Sequence, residues 1–195
     1  MELRYNTRAE KNLQEIRTRN ENGDPIIEGY FVVFDGVYNI AEGVTESVDR
    51  HAFDDTIGGD IRILVDHDTR LVLGRTTSGT AKVSVDERGV WGHVDINPND
   101  SDAVNAHARV ERGDVTQGSF GFDILDEETE FRDDGSVHFT IKKVELYEMS
   151  VVTFPAYEET SISARKKQAD EIKARTVDAW KVETLAKLKG EKNNA

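Results

Sequence analysis

One serine and one histidine carry the chemistry this sequence can be read for. Ser119 lies in Gln117-Gly118-Ser119-Phe120-Gly121-Phe122. At the two-residue period of a strand, Phe120, Phe122 and Ile124 share one face, while Ser119, Gly121 and Asp123 share the other. The aromatic face calls for a core. The opposite face is nearly bare around one hydroxyl, and the glycines on either side leave room for another backbone, such as a substrate strand, to lie close by. A serine hydroxyl is a weak nucleophile without a base. His67 is the candidate base, in Leu64-Val65-Asp66-His67-Asp68, where an apolar run ends in polar residues. Plainer roles fit the same residues, because Ser-Gly strands form bulges and barrel bends, and Asp-His-Asp forms solvated turns.

Other chemistries lack their residues. The absence of cysteine excludes disulfides, thiolate catalysis and thiolate zinc sites. No Gly-x-x-x-x-Gly-Lys-Ser/Thr or Gly-x-Gly-x-x-Gly pattern occurs, so nucleotide cradles are unsupported. The histidines at 51, 67, 93, 107 and 138 form no i, i+4 pair of a helical zinc site. His107 is expected on a helix surface, His51 as structural or solvent-facing, and His93, beside Trp91 and Gly92, as a satisfied strand residue. Asp66, Asp68 and Asp95 match no calcium loop. Neither metal nor cofactor is expected.

The elements that must position Ser119 and His67 follow from a chain of 195 residues, 37% hydrophobic and 32% charged. That length allows one domain with a real core and an appendage. No apolar run reaches the length of a membrane helix, and Met1-Glu2-Leu3-Arg4-Tyr5 carries no signal-peptide pattern, so an intracellular protein is expected. The net charge of −13 is uneven, because residues 161–195 hold nine basic and five acidic residues and residues 1–160 hold 16 and 33. An acidic body repels phosphate backbones and argues against nucleic-acid binding, while it attracts basic partners.

Residues 1–24 are polar and end in the turn cluster Asn20-Glu21-Asn22-Gly23-Asp24-Pro25. Strands are predicted over 26–34, 61–65, 71–75, 80–85, 90–96, 115–124, 127–131, 137–141 and 144–154. Asp86-Glu87-Arg88-Gly89 closes a hairpin, and Asp133-Asp134-Gly135 is a second turn. Ser47 ahead of Arg50 and His51 predicts a short helix ending near Gly58-Gly59. Asn99-Asp100-Ser101-Asp102 caps a helix running to Arg112, with Gly113 as its stop. Beyond Tyr157, Ile162, Ile172, Ala179, Val182, Leu185 and Leu188 fall roughly on one face of a charged helix, a thin apolar stripe that suits a protruding tail. The expected fold is α+β: a central, curved, mostly antiparallel sheet or barrel flanked by a few helices, with a C-terminal helical tail. The division is 1–160 as the domain, with its core at 26–160, and 161–195 as the tail.

A series of segments in this order resembles the prohead (capsid maturation) protease family of HK97-type tailed phages. They are Leu64-Val65-Asp66-His67-Asp68, Leu73-Gly74-Arg75-Thr76, Glu111-Arg112-Gly113-Asp114-Val115, Gly118-Ser119-Phe120-Gly121-Phe122, and Glu148-Met149-Ser150-Val151-Val152-Thr153-Phe154-Pro155-Ala156-Tyr157. Gly29 to Phe34, and Glu46 with Ala52-Phe53, resemble the family's opening strand and helix, so the likeness spans roughly 26–160.

The resemblance implies a serine endopeptidase with a fold akin to herpesvirus assembly proteases. Such an enzyme cleaves scaffold segments from the major capsid protein, and itself, inside the prohead in the host cytoplasm, with self-association during assembly. Residue by residue, Ser119 matches the nucleophile and His67 the general base. Glu148, ahead of Ser-Val-Val-Thr-x-Pro-Ala, matches the acidic residue that would orient the histidine. The herpesvirus pattern of a second histidine points instead to His138 or His93. Glu148 shares strand parity with Val144 and Leu146, which predicts a partly buried carboxylate in need of a partner. Amides near Gly74-Arg75 are a candidate oxyanion hole. The competing class is a non-catalytic assembly module that binds capsid protein. A third, a polysaccharide hydrolase with paired carboxylates, has acids but no motif.

Overall fold

The computed structural model describes residues 16–154 except 22 and 35, together with 167–171 and 174. Its spine is β10 (Val137–Val152), a 16-residue strand. One edge of β10 carries two short strands in parallel, β4 (Val44–Val48) beside its first half and β5 (Arg62–Val65) beside its second. Its other edge pairs antiparallel with β9 (Gln117–Phe131) over nearly the full length. β3 (Tyr38–Ala41) extends the sheet beyond β4, and β6 (Asp68–Arg75) extends it beyond β5. The second sheet runs β1 (Ile16–Glu21), β2 (Asp24–Val33), β8 (Gly89–Asp95), β7 (Ala81–Val85). One helix, α1 (Ser101–Glu111), lies between β8 and β9 in the chain. Among the described residues no helix is long and apolar enough to cross a membrane.

The class is α+β and the strands pair mostly antiparallel, but the barrel does not close: the strands form two separate sheets. The main core lies between the sheets. Ile27, Phe31, Val90 and Val94 come from one, Ile63, Leu73, Leu146, Met149 and Val151 from the other, and Phe53 and α1's Ala103, Ala106 and Val110 complete it. At Gly92 the sheets leave no space for a side chain. A Cβ there would stand 2.6 Å from Phe31 Cε2 and 2.8 Å from Met149 Cε. Gly92→Ala is therefore expected to destabilise the fold by about 1–3 kcal/mol through overpacking, read as a lower denaturation midpoint at constant slope.

Several expectations are corrected. The polar N-terminal region contributes a strand, β1, which buries Ile16 and leaves most of its side chains to solvent, as an edge strand allows. Between Phe34 and Ser47, where no strand is predicted, lies the β3–β4 hairpin, which turns at Glu42-Gly43 with Gly43 at φ 68°. No helix follows Ser47, which lies inside β4. Residues 50–58 instead make successive tight turns, with N–H groups of Ala52, Asp54 and Thr56 donating three residues back, to Asp49, His51 and Phe53. Val144 N–H takes the Ala52 carbonyl from β10, while Ala52 and Phe53 are buried, so tertiary contacts override the local helical pattern. The paired short strands predicted at 115–131 and 137–154 are two continuous strands, and the register shifts between Ile141 and Val144 fall where a break is predicted, while the shift between Leu146 and Glu148 lies inside the predicted 144–154 strand.

The helix predicted from Asp100 is present, with the Asp100 carboxylate accepting from the Asp102 and Ala103 amides. The proposed boundary at 160 lies outside the described residues, as does most of the tail. Residues 167–171 and 174 are helical, and Ala169 is fully buried with Ile40, Val44, Val137 and Phe139, so this part of the tail docks on the domain rather than protruding.

Candidate active site

His67 owes its position to a two-residue hairpin. β5 and β6 pair at Val65 and Asp68, leaving Asp66 and His67 as the loop. Both have positive φ, 47° and 59°, as the tightest hairpin turns require. Asn-Gly or Asp-Gly would adopt this backbone most easily, but Asp and His are among the side chains that tolerate it. The turn is tied to the end of β10: Asp66 N–H donates to the Val151 carbonyl at 2.9 Å, and the Asp66 carboxylate accepts from Thr153 N–H at 2.8 Å and Thr153 Oγ1 at 3.3 Å. His67 N–H donates to Ser150 Oγ at 3.1 Å.

Ser119 reaches the same place from β9. The alternation read from the sequence holds there: Phe120 and Phe122 stack at 4.6 Å and pack on the core, while Ser119 and Gly121 face the other way. Their cross-strand partners on β10 are Ser150 and Glu148.

Glu148 is on that face because of a bulge. Val144 and Leu146 point to the core, and so do Met149 and Val151, so parity reverses between them at the register shift from Leu146 to Glu148. The parity shared with Leu146 in the sequence is thus broken. Glu148 turns away from the core with Ser150, and its side chain keeps 14% of its exposure.

Three side chains meet in a chain of hydrogen bonds. His67 Nδ1 donates to Glu148 Oε1 at 2.7 Å, which leaves Nε2 to accept from Ser119 Oγ at 2.9 Å. Ser150 Oγ donates to the other carboxylate oxygen, Oε2, at 2.6 Å. Ser119 is 8% exposed and the His67 side chain 29%, so the hydroxyl sits in a largely dry site that still opens to solvent through the imidazole. The room beside the flanking glycines is already filled. A Cβ at Gly121 would stand 2.4 Å from Glu148 Oε1, and one at Gly118 would stand 3.0 Å from Phe31 Cδ1. These glycines admit a carboxylate and a core ring rather than an approaching backbone.

The other candidates lie elsewhere. His138 is ten residues from Glu148 on β10, roughly 33 Å of strand. Its ring nitrogens bond Thr45 Oγ1 at 2.8 Å and Ser47 Oγ at 2.9 Å. His93 lies in the second sheet, 3.1 Å from Asp95 and 3.8 Å from Glu28. Arg75 N–H donates to Thr80 Oγ1 at 3.0 Å and its guanidinium is held by Asp60, so the Gly74-Arg75 oxyanion assignment loses that amide. Arg75 in turn holds the Asp60 carboxyl far below the usual carboxylate range. Among the described residues, no group of three or more acids or histidines could hold a metal. The sequence reading missed Ser150 and the Asp66–Thr153 tie; a strand rule that pairs i with i+2 would have placed Ser150 beside Glu148.

His138 makes a separate prediction. Burial, then Arg132, depress its pKa below the ordinary value, against a smaller opposing effect of Glu130. The unfolded chain therefore takes the proton first, and the contribution to stability is complete above the unfolded value of about 6.5 and lost as pH falls through the lower folded value. Melting temperature is expected to drop on acidification below that point, and His138→Gln to flatten the drop. Equal slopes in both proteins would contradict the assignment.

Comparison with known proteins decides the family. The model of the Caudovirus prohead serine protease family matches residues 11–175. The chain belongs to that family. It is also 27% identical over 170 residues to the prohead protease of Enterobacteria phage HK97, a match that covers 85% of this chain and 71% of that protein. Ser119, His67 and Glu148 all fall within the span that the family model covers. No solved structure matches the chain.

Proposed function

We propose that this protein is a serine endopeptidase of phage head maturation, with Ser119 as nucleophile, His67 as general base and Glu148 as the group that orients it. The observation that carries the reading is the unbroken chain from Ser119 Oγ through both ring nitrogens of His67 to the Glu148 carboxylate. Ser119 Oγ attacks the scissile carbonyl while Nε2 takes its proton, and the same nitrogen returns that proton to the leaving amine. Water then repeats the cycle on the acyl-enzyme. Glu148 fixes the tautomer with its proton on Nδ1 and stabilises the imidazolium that forms. A non-catalytic assembly module has no need of this arrangement.

Family membership supports the scaffold segment of the major capsid protein as the substrate, cleaved inside the prohead in the host cytoplasm. Self-cleavage, self-association and kinship of fold with herpesvirus assembly proteases belong to the same proposal and rest on the resemblance of sequence. The test is a fluorophosphonate, which phosphonylates a serine activated by a base. A single adduct is expected on the peptide containing Ser119, together with loss of capsid-protein cleavage. Cleavage that continues with Ser119 fully modified, or an adduct confined to another serine, would sink the assignment.

Gly121 adds a second check. Because a methyl there would drive the Glu148 carboxylate off His67, Gly121→Ala is expected to lower kcat about 10²-fold. The comparison is with its melting temperature, which should move far less than loss of folding would require.

A further inference from the structure

Ser150 is fully buried, on the same face of β10 as Glu148 and directly across from Ser119 on β9. A buried hydroxyl needs partners, and a backbone carbonyl would serve. Its partners are instead two groups of the site. Oγ accepts from the His67 amide at 3.1 Å and gives its one proton to Glu148 Oε2 at 2.6 Å. Since an N–H can only donate, the direction is fixed: His67 N–H to Ser150 Oγ, Ser150 O–H to Glu148.

We propose that Ser150 is a positioning residue of the peptidase site, whose single hydroxyl fixes both the rotation of the Glu148 carboxylate and the left-handed backbone of His67. The proposal rests on the peptidase reading above. With Oε2 held by Ser150, the carboxylate plane is set and Oε1 is presented to Nδ1. With its amide held, His67 keeps the φ of 59° that aims its ring at Ser119. Loss of the hydroxyl frees both at once and strips two groups of their buried partner.

The same bond sets a charge. Ser150 shares the carboxylate with the imidazole, so loss of its hydroxyl leaves the full negative charge to face Nδ1 and to hold the imidazolium. Removing the hydroxyl moves proton uptake by the coupled pair to higher pH. Other charges around the pair are already engaged. Arg62, beside Glu148 on β5, is turned onto Asp60; Asp66 holds Thr153; Asp68 holds Arg70; and Asp123 accepts from Tyr147.

The experiment compares the full chain with Ser150→Ala and Ser150→Thr. Cleavage of the capsid protein is followed against pH, and the His67 imidazole nitrogens are titrated by NMR without substrate. Ser150→Ala is expected to lower kcat/KM about 10²-fold and to raise the imidazole midpoint by about half a unit or more. Ser150→Thr, which restores a hydroxyl, is expected to return the midpoint toward wild type. An imidazole titration in Ser150→Ala that overlays the wild type would overturn the proposal, whatever the rate, since a merely structural serine loses activity without moving that midpoint. A wild type that leaves the capsid protein intact, while Ser150→Ala still moves the titration, would sink the peptidase reading and uphold the hold of Ser150 on the pair.

Discussion

Replacing Glu148 with Gln is expected to cut kcat about 10⁴-fold while the protein stays folded. The amide is close to the carboxylate in shape, so the pocket beside Gly121 still accepts it, and one of its two ends can still meet Ser150. What it cannot do is accept from Nδ1 with the force of a charge. If its NH2 end faces His67, the ring flips tautomer, places its proton on Nε2, and can no longer take the Ser119 proton. KM should hold, because Glu148 contributes little to ground-state binding of a peptide. A kcat within a few-fold of wild type would show that the carboxylate serves packing and not orientation.

His67→Asn is expected to remove activity by on the order of 10⁶ in kcat, close to the loss from deleting the nucleophile, because base and nucleophile act as one unit. Asn is chosen over Ala because position 67 has φ 59°, which Asn tolerates and Ala resists. The Asp66–Thr153 tie and the β5–β6 pairing do not involve the ring, so the turn is expected to survive. Activity of Ser119→Ala and of the double variant should match that of His67→Asn alone. Additive losses would mean that the two residues do not work together.

Much of the site was legible in the sequence, and its gaps have physical causes. The aromatic alternation at Phe120 and Phe122 placed Ser119 correctly, because an undisturbed strand has a fixed period of two. Glu148 was singled out by family likeness, yet its face could not be read: the bulge between Leu146 and Glu148 reverses parity, and no glycine or proline marks it. The turn that carries His67 lacks the glycine such turns usually show, because contacts from Val151, Thr153 and Ser150 hold it, and those contacts come from some 80 residues away.

The fold divides in the same way. The 86–89 hairpin and the capped helix α1 follow from local signals and were found. β1 was missed because it buries only Ile16 and otherwise reads as polar coil. The helix expected after Ser47 gave way to turns because β10 claims the Ala52 carbonyl, a contact between residues 52 and 144 that local sequence cannot announce.

The most direct test of the peptidase account is to co-express the wild type, or Ser119→Ala, with the major capsid protein encoded beside it and weigh both chains by mass spectrometry. The account predicts a capsid protein shortened at one defined site with the wild type and intact with Ser119→Ala, a variant that keeps the aromatic core face of β9. Equal processing in both would contradict Ser119 as nucleophile. An intact capsid protein in both, still co-purifying with this chain, would make it an assembly module instead.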